Sequence, residues 1–473
     1  MGFVYVAVAI AWAVFAGRSV AFPYSVDGDL FWQRELGNAV LANHALPHAL
    51  GPEAFAAAGA PWVPQEWLLG IAASLADSHG ALAVLGIAAA TAAVLALFLS
   101  AARAARAGAN ALCNLFAFLL GYLGIGTSYG IRAQVFAWPL FSALLYVLDY
   151  EDVRALWAVP VVVLWANVHA SVMLAIPIVW VDSTLWVLRR GVGDARARIG
   201  IALAVLVPLA TLATPLGIRL PLFALTFARS PIRQFIVEWR PIDVTDVAVY
   251  AGALPLLALG AYGAFRLWRA MPRDVVVGAA LAVMMCMAMR NVALFSIAAI
   301  PLAANGLTLL LARFRLPTDP MGERGPRTFM LGSAAVLGTA IFVVMLRSPL
   351  PIGSFHPPQR EFAALSATSG DHRIFCTDFT DCSVALQFPN LRVFLDGRAD
   401  AYPLPIWNDF NAIRFANANW DGILKGRDVN AVLVKTGDAL DLAIRLRGRE
   451  WHLLQGDDFK RLYTRVADPR NSM

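Results

Sequence analysis

Up to about residue 346 the chain reads as long apolar runs separated by short polar connectors. Runs of about 17–25 apolar residues are what a helix needs to cross a hydrocarbon core. They predict about eleven spans, near 3–22, 80–100, 111–126, 133–149, 155–168, 171–188, 199–216, 247–265, 275–289, 292–311 and 328–346. Several are short or interrupted by proline (Pro160, Pro177, Pro208, Pro255, Pro301), so their ends are loosely defined. Residues 67–79 form a half-apolar stretch that suits an interfacial or re-entrant helix. Past the Pro-rich stretch Pro349–Pro358 the pattern changes. Arg373–Cys376, Arg392–Leu395 and Ala431–Val434 read as short buried strands, with two more near 451–454 and 459–465. Helical patterns near 404–426 and 438–448 lie among them, and such alternation argues an α/β layer. The expected fold is therefore mostly α, a polytopic membrane domain over 1–347 with a large first loop at 23–79. A small α/β domain is expected over 348–473.

Composition supports this picture. The chain is 59% hydrophobic and only 15% charged, well below the roughly 25% charged of a soluble domain. The net charge of +6 is carried by arginine, since Lys425, Lys435 and Lys460 are the only lysines. No basic block is interleaved with aromatics, so nucleic acid is not an expected partner. Met1 to Phe22 has no basic leader and is long enough to span, which reads as a retained first helix.

Loop charge sets an expected orientation. With a cytoplasmic N-terminus the inner loops 101–110, 150–154, 189–198, 266–274 and 312–327 hold fourteen arginines. The longer outer loops 23–79, 127–132 and 217–246 hold six, four of them in 217–246. The bias follows the positive-inside rule and puts the tail after about Arg347 outside. Cys113 and Cys286 lie in apolar segments, whereas Cys376 and Cys382 bracket a polar stretch. The latter pair would suit a small disulfide in an extracytoplasmic tail.

With the spans drawn, the unusual polar residues fall on the outer side. Asp27 and Asp29 follow the first span in Val26-Asp27-Gly28-Asp29-Leu30-Phe31-Trp32-Gln33. Asp costs roughly 2.5–3.5 kcal/mol at a helix centre, so paired acids at a membrane edge require a reason. Such a pair can hold a divalent cation or take a proton from an attacking hydroxyl, or it can simply be solvated. Glu66 lies in the same loop, Arg132 and Gln134 at one span end, and Asn167 and His169 at a turn between spans. Glu238, Trp239 and Arg240 lie in another outer loop, and Arg290 at another outer end. Each has a plain reading: Arg132 an interfacial anchor or the partner of an outer acid, Asn167 a cap, His169 a satisfied polar group, Glu238 with Arg240 a surface pair. Their convergence on one side outweighs any single member. Asp182 lies toward the inner side and is expected to pair with Arg189 or Arg190. Asp396, Arg398 and Asp400 follow a predicted strand, where α/β sheets often bind ligands, although a salt-bridged turn fits equally.

Several segments resemble the GT-C class of polytopic membrane glycosyltransferases, and most closely a bacterial branch of it. They are DGDLFWQRELGNAVLANHALP, PWVPQEWLLG, YGIRAQVFAWPLF, WANVHASVMLAI, ATPLGIRLPLF, FIVEWRP, RNVALFSIAAIPL and FLDGRADAY. The resemblance implies a polyprenyl-phosphate-linked sugar donor, a glycan, lipid or protein acceptor at the outer face of a bacterial cytoplasmic membrane, and a divalent metal (Mg or Mn). It implies an essential acid in the first outer loop, a place that Asp27 or Asp29 occupies, with either acid also a metal ligand. Arg132, Arg240 and Arg290 would then meet the donor phosphate, and Glu66, Asn167, His169 and Glu238 would touch acceptor or metal. The Asp-Gly-Asp spacing departs from the adjacent acids common in that class. A non-catalytic protein of envelope assembly and a transporter or flippase are the competing readings. A transporter would show inverted repeats and ionisable groups at the midplane.

Overall fold

The computed structural model describes residues 2–21, 28–126, 128–314, 335–336, 338–344, 346 and 356–466. Asp27 and about half of the span expected at 328–346 lie outside the described residues. By its contacts the chain forms two compact units. The first comprises Met1–Pro23, Ala81–Ala228 and Ile236–Ile352, and the second Tyr24–Gly80, Arg229–Phe235 and Gly353–Met473. The division in space thus differs from a single cut near residue 348, because the first long loop packs with the tail.

The first unit is helical. Its elements are α1 (Gly2–Ala21), α4 (Leu82–Arg106), α5 (Ala111–Gly126), α6 (Ala133–Leu148), α7 (Ala158–Val168) and α8 (Ala175–Arg190). They continue with α9 (Ala195–Ala210), α10 (Arg219–Phe227), α11 (Leu254–Leu267), α12 (Pro272–Met287) and α13 (Val292–Arg313). The second unit contributes α2 (Asp29–Asn43) and α3 (Trp67–Ser78). Five segments are long and apolar enough to cross a membrane: Val4–Ala21, Leu82–Arg106, Ala170–Arg190, Ala248–Leu267 and Met289–Arg313. This is a membrane protein, and ten of the expected spans coincide with its helices. α13 is central, with every residue from Val292 to Gly306 buried. It meets α11 where a Cβ on Gly263 would lie 2.2 Å from the Leu302 carbonyl oxygen. Small residues permit such backbone approach in lipid, where no water drives helices together.

Helix ends in this unit follow their chemistry. Asp194 caps α9 by accepting from the amides of Arg196 and Ala197, and Gly191 ends α8 at φ 78°. At the C-terminal end of α6 the charges are buried. Arg103 donates to Asp149 (2.9 Å) and Asp274 (2.6 Å), and Arg273 pairs with Asp149 and Asp182. Asp182 therefore does not pair with Arg189 or Arg190. It takes Arg196 (2.7 Å) and Arg273 (3.1 Å), whose helices begin at this end and turn their first-turn arginines inward. Arg189 and Arg190 face outward and reach the Arg269 carbonyl and Glu151.

The second unit is built on a five-stranded sheet of order β2-β1-β3-β5-β4. Its strands are β1 (His372–Cys376), β2 (Leu391–Val393), β3 (Ala431–Lys435), β4 (Trp451–Gly456) and β5 (Lys460–Arg465). β2, β1 and β3 run parallel, while β5 and β4 are antiparallel. The helices among them are α14 (Gln359–Ser366), α15 (Phe379–Ala385), α16 (Leu404–Arg414), α17 (Trp420–Gly426) and α18 (Ala439–Leu446). The helical stretch expected over 404–426 is two helices, parted where Ala416 takes φ 50°. A disulfide joins Cys376 at the end of β1 to Cys382 in α15. Phe31 of α2 lies in the same core as Phe362, Ile374, Val393 and Leu433. The Val393 amide also donates to the Glu53 carbonyl (2.7 Å). Those two contacts make the loop and the tail one body.

Candidate functional site

The first unit gathers a polar cluster at the N-terminal end of α6, the end opposite the buried charge network. Arg132 is the N-cap of α6 and is extended (φ −137°), so its side chain leaves before the first turn. A short turn, Val237–Trp239, brings the Glu238 carboxylate onto the Arg132 guanidinium. Arg290 lies in the turn Met289–Asn291 between α12 and α13, and its guanidinium sits 4.4 Å from the Trp239 ring centroid. The two turns are tied by the Met289 amide donating to the Arg240 carbonyl (2.9 Å). Gln134 reaches the Arg290 carbonyl at 3.5 Å.

His169 ends α7 and caps the following turn, its Nδ1 accepting from the Ser171 amide (3.0 Å). It is buried. Burial first, and then the Arg290 charge against the pull of Glu238, push its pKa down to about 3. The ring is therefore neutral at ordinary pH, with its proton on Nε2. Burial opposes the Glu238 charge, but Arg132 and then Arg290 outweigh it and hold that carboxyl below its usual range. The cluster is thus two guanidiniums, one carboxylate and a neutral imidazole. Guanidinium is suited to bidentate pairing with phosphate oxygens.

Not every expected member joins in. The Asn167 amide is committed to the carbonyls of Val163 and Ala213, both at 2.8 Å, and serves the backbone. Arg240 contributes its carbonyl, while its side chain is exposed. Beside the buried network at the other end of α6 lies a cavity of about 420 Å³. Its acids Asp149, Asp182, Asp274 and Glu151 all have arginine partners.

The second unit carries the described acid of the first loop. Asp29 opens α2 and is half-buried, where the helix dipole favours a carboxylate. Trp32, one turn on, donates its indole N–H to Asp29 Oδ1 (3.1 Å). Glu66 is held by the side-chain amides of Gln33 (2.6 Å) and Gln65 (3.0 Å). Asp396 and Arg398 form the salt-bridged turn: Arg398 grips Asp396 through Nη2 (2.6 Å) and reaches Glu53 through Nη1 (2.9 Å). Their charges are spent on each other and on the loop, which argues against a ligand site there. Among the described residues no group of three or more His, Cys, Asp or Glu side chains assembles that would hold a metal ion. Asp29 belongs to no such group among the described residues.

Sequence reasoning missed two members. Trp239 reads as an interfacial aromatic, and only its position under Arg290 reveals a second role. Trp32 bonds Asp29 because 29–43 is helical, and the i, i+3 spacing would have been informative had the loop been read as a helix.

No protein-family model matches the chain, and no curated protein matches its sequence. Solved structures do match. The oligosaccharyltransferase AglB from Archaeoglobus fulgidus, in complex with an inhibitory peptide and a dolichol-phosphate, aligns with a TM-score of 0.54 and 12% identity. The alignment covers 91% of this chain and 69% of that one. The Archaeoglobus fulgidus enzyme tethered to an acceptor peptide aligns at 0.56 and 11% identity, with the same coverage. ArnT from Cupriavidus metallidurans in the apo state aligns at 0.52 and 15% identity, over 98% of this chain and 97% of its own. The chain has the GT-C fold of these membrane glycosyltransferases.

Proposed function

We propose that this protein is a membrane glycosyltransferase. It moves a sugar from a polyprenyl-phosphate-linked donor to a glycan, lipid or protein acceptor at the outer face of a bacterial cytoplasmic membrane. The observation that carries the reading is the Arg132–Glu238–His169–Arg290 cluster in a GT-C fold. Arg132 and Arg290 take the donor phosphate and neutralise the charge that grows on it as the glycosidic bond breaks. Glu238 holds Arg132 in place until phosphate arrives, and Trp239 fixes the plane of Arg290. His169, neutral and with a proton on Nε2, donates rather than adds charge. Asp29 accepts the acceptor hydroxyl proton as the new bond forms. Asp27 shares its loop and is the alternative acid.

The test is turnover in proteoliposomes with a panel of polyprenyl-phosphate sugars, read as release of polyprenyl phosphate. Asp29→Asn and Arg290→Gln should each lower kcat by about 100-fold or more, the scale of a lost acid–base or charge-stabilising group. Equal turnover by Asp29→Asn and the parent would remove Asp29 from the chemistry. Movement of the intact lipid-linked sugar across the bilayer, with no release, would identify a flippase instead.

A further inference from the structure

We propose that the Asp396-Gly397-Arg398 turn of the sheet is a positioning element for the Asp29 carboxylate, acting through Trp32. The turn is rigid. Asp396 is fully buried and accepts from the Arg398 amide (2.9 Å) and guanidinium. The Gly397 amide donates to Ser383 Oγ in α15 (2.9 Å). Arg398 is clamped on its far side by Glu53 and lies 5.3 Å from the Trp62 ring centroid. Trp62 in turn meets Trp32 edge-on at 6.3 Å.

Against this frame the indole of Trp32 has little room. A Cβ on Gly397 would lie 2.5 Å from Trp32 Cδ1, 2.7 Å from its Nε1 and 3.0 Å from Asp29 Oδ1. Only a hydrogen fits there, so glycine is required for space. Gly397 therefore lies close against the edge of the indole that carries its N–H. That N–H is aimed at Asp29 Oδ1, and the bond selects one rotamer of the carboxylate. A catalytic acid displaced by about 1 Å can lose on the order of 100-fold in rate, so a buttress of this kind has a chemical purpose. FLDGRADAY then serves the first-loop acid from more than 350 residues away.

The inference rests on the reading of Asp29 as the reacting acid, and two readouts separate the claims. The first needs no substrate. In protein carrying 5-fluorotryptophan, the fluorine resonance of position 32 is assigned by its loss in Trp32→Phe. Asp29→Asn should move that resonance in the parent protein and leave it in place in a Gly397→Ala background. Equal movement in both backgrounds would overturn the proposal. The second is turnover with the donor that the panel identifies. Gly397→Ala and Trp32→Phe should each lower kcat about 10- to 100-fold with KM changed less than about 2-fold. The double variant should be no worse than Trp32→Phe alone, since the smaller ring removes the clash. Parental kcat in both single variants would overturn the proposal. Trp32→Phe adds no bulk and carries the test if Gly397→Ala does not fold. Parental turnover by Asp29→Asn would defeat the catalytic reading alone, with the fluorine result still deciding the positioning.

Discussion

At the scale of single residues, His169 shows how context fixes a protonation state. The same side chain in water would be half-charged near pH 6.5. Here it has lost water, faces Arg290 and titrates near pH 3. A depressed folded pKa means that the unfolded chain binds the extra proton first. Stability from His169 is therefore complete above about pH 6.5 and declines as pH falls toward 3. At pH 5 the loss should be about 2 kcal/mol, from about 1.5 pH units at 1.36 kcal/mol each. Thermal unfolding in detergent at pH 7 and pH 5 should show it, and His169→Gln should remove that part of the pH dependence. An unchanged difference in the variant would assign the effect elsewhere.

At the scale of elements, the ends of α4, α6, α9 and α12 and the middle of α8 are held by charge as well as by packing. Asp182 is 4% exposed and faces both Arg196 and Arg273. Removing one partner of a buried pair leaves the other uncompensated, which costs about 3–5 kcal/mol. Asp182→Ala should lower the unfolding temperature accordingly. Breaking the exposed pair Arg154–Asp152, with side chains 59% and 49% exposed, should cost less than about 1 kcal/mol. Similar shifts for both would contradict the idea that this network latches the helices. Sequence reasoning assigned Asp182 an arginine partner but named the wrong arginines. Linear spacing favoured Arg189 and Arg190, whereas burial favoured arginines that arrive on later helices.

At the scale of the whole molecule, a loop and a tail far apart in sequence close into one sheet-based unit. Phe31 is the clearest case, since it reads as part of a loop and is 0% exposed in the sheet core. If that unit is extracytoplasmic, as the arginine bias implies, alkaline phosphatase fused after residue 466 should be active and GFP there should not fluoresce. A fluorescent fusion would place the tail in the cytoplasm and overturn the expected orientation.

The helices of the apolar part and the strands of the tail were legible in the linear chain. They depend on local periodicity and on hydrophobic length, which a sequence carries directly. Arg132, Glu238, His169 and Arg290 were each visible as unusual groups at span ends. That the first and second are paired, the third neutral and the fourth stacked on Trp239 was not. Nor was the meeting of Gly397 with Trp32 and Asp29. Such facts arise where segments with no sequence relation pack, and there mutual burial and charge, rather than neighbours in the chain, set each side chain's partner.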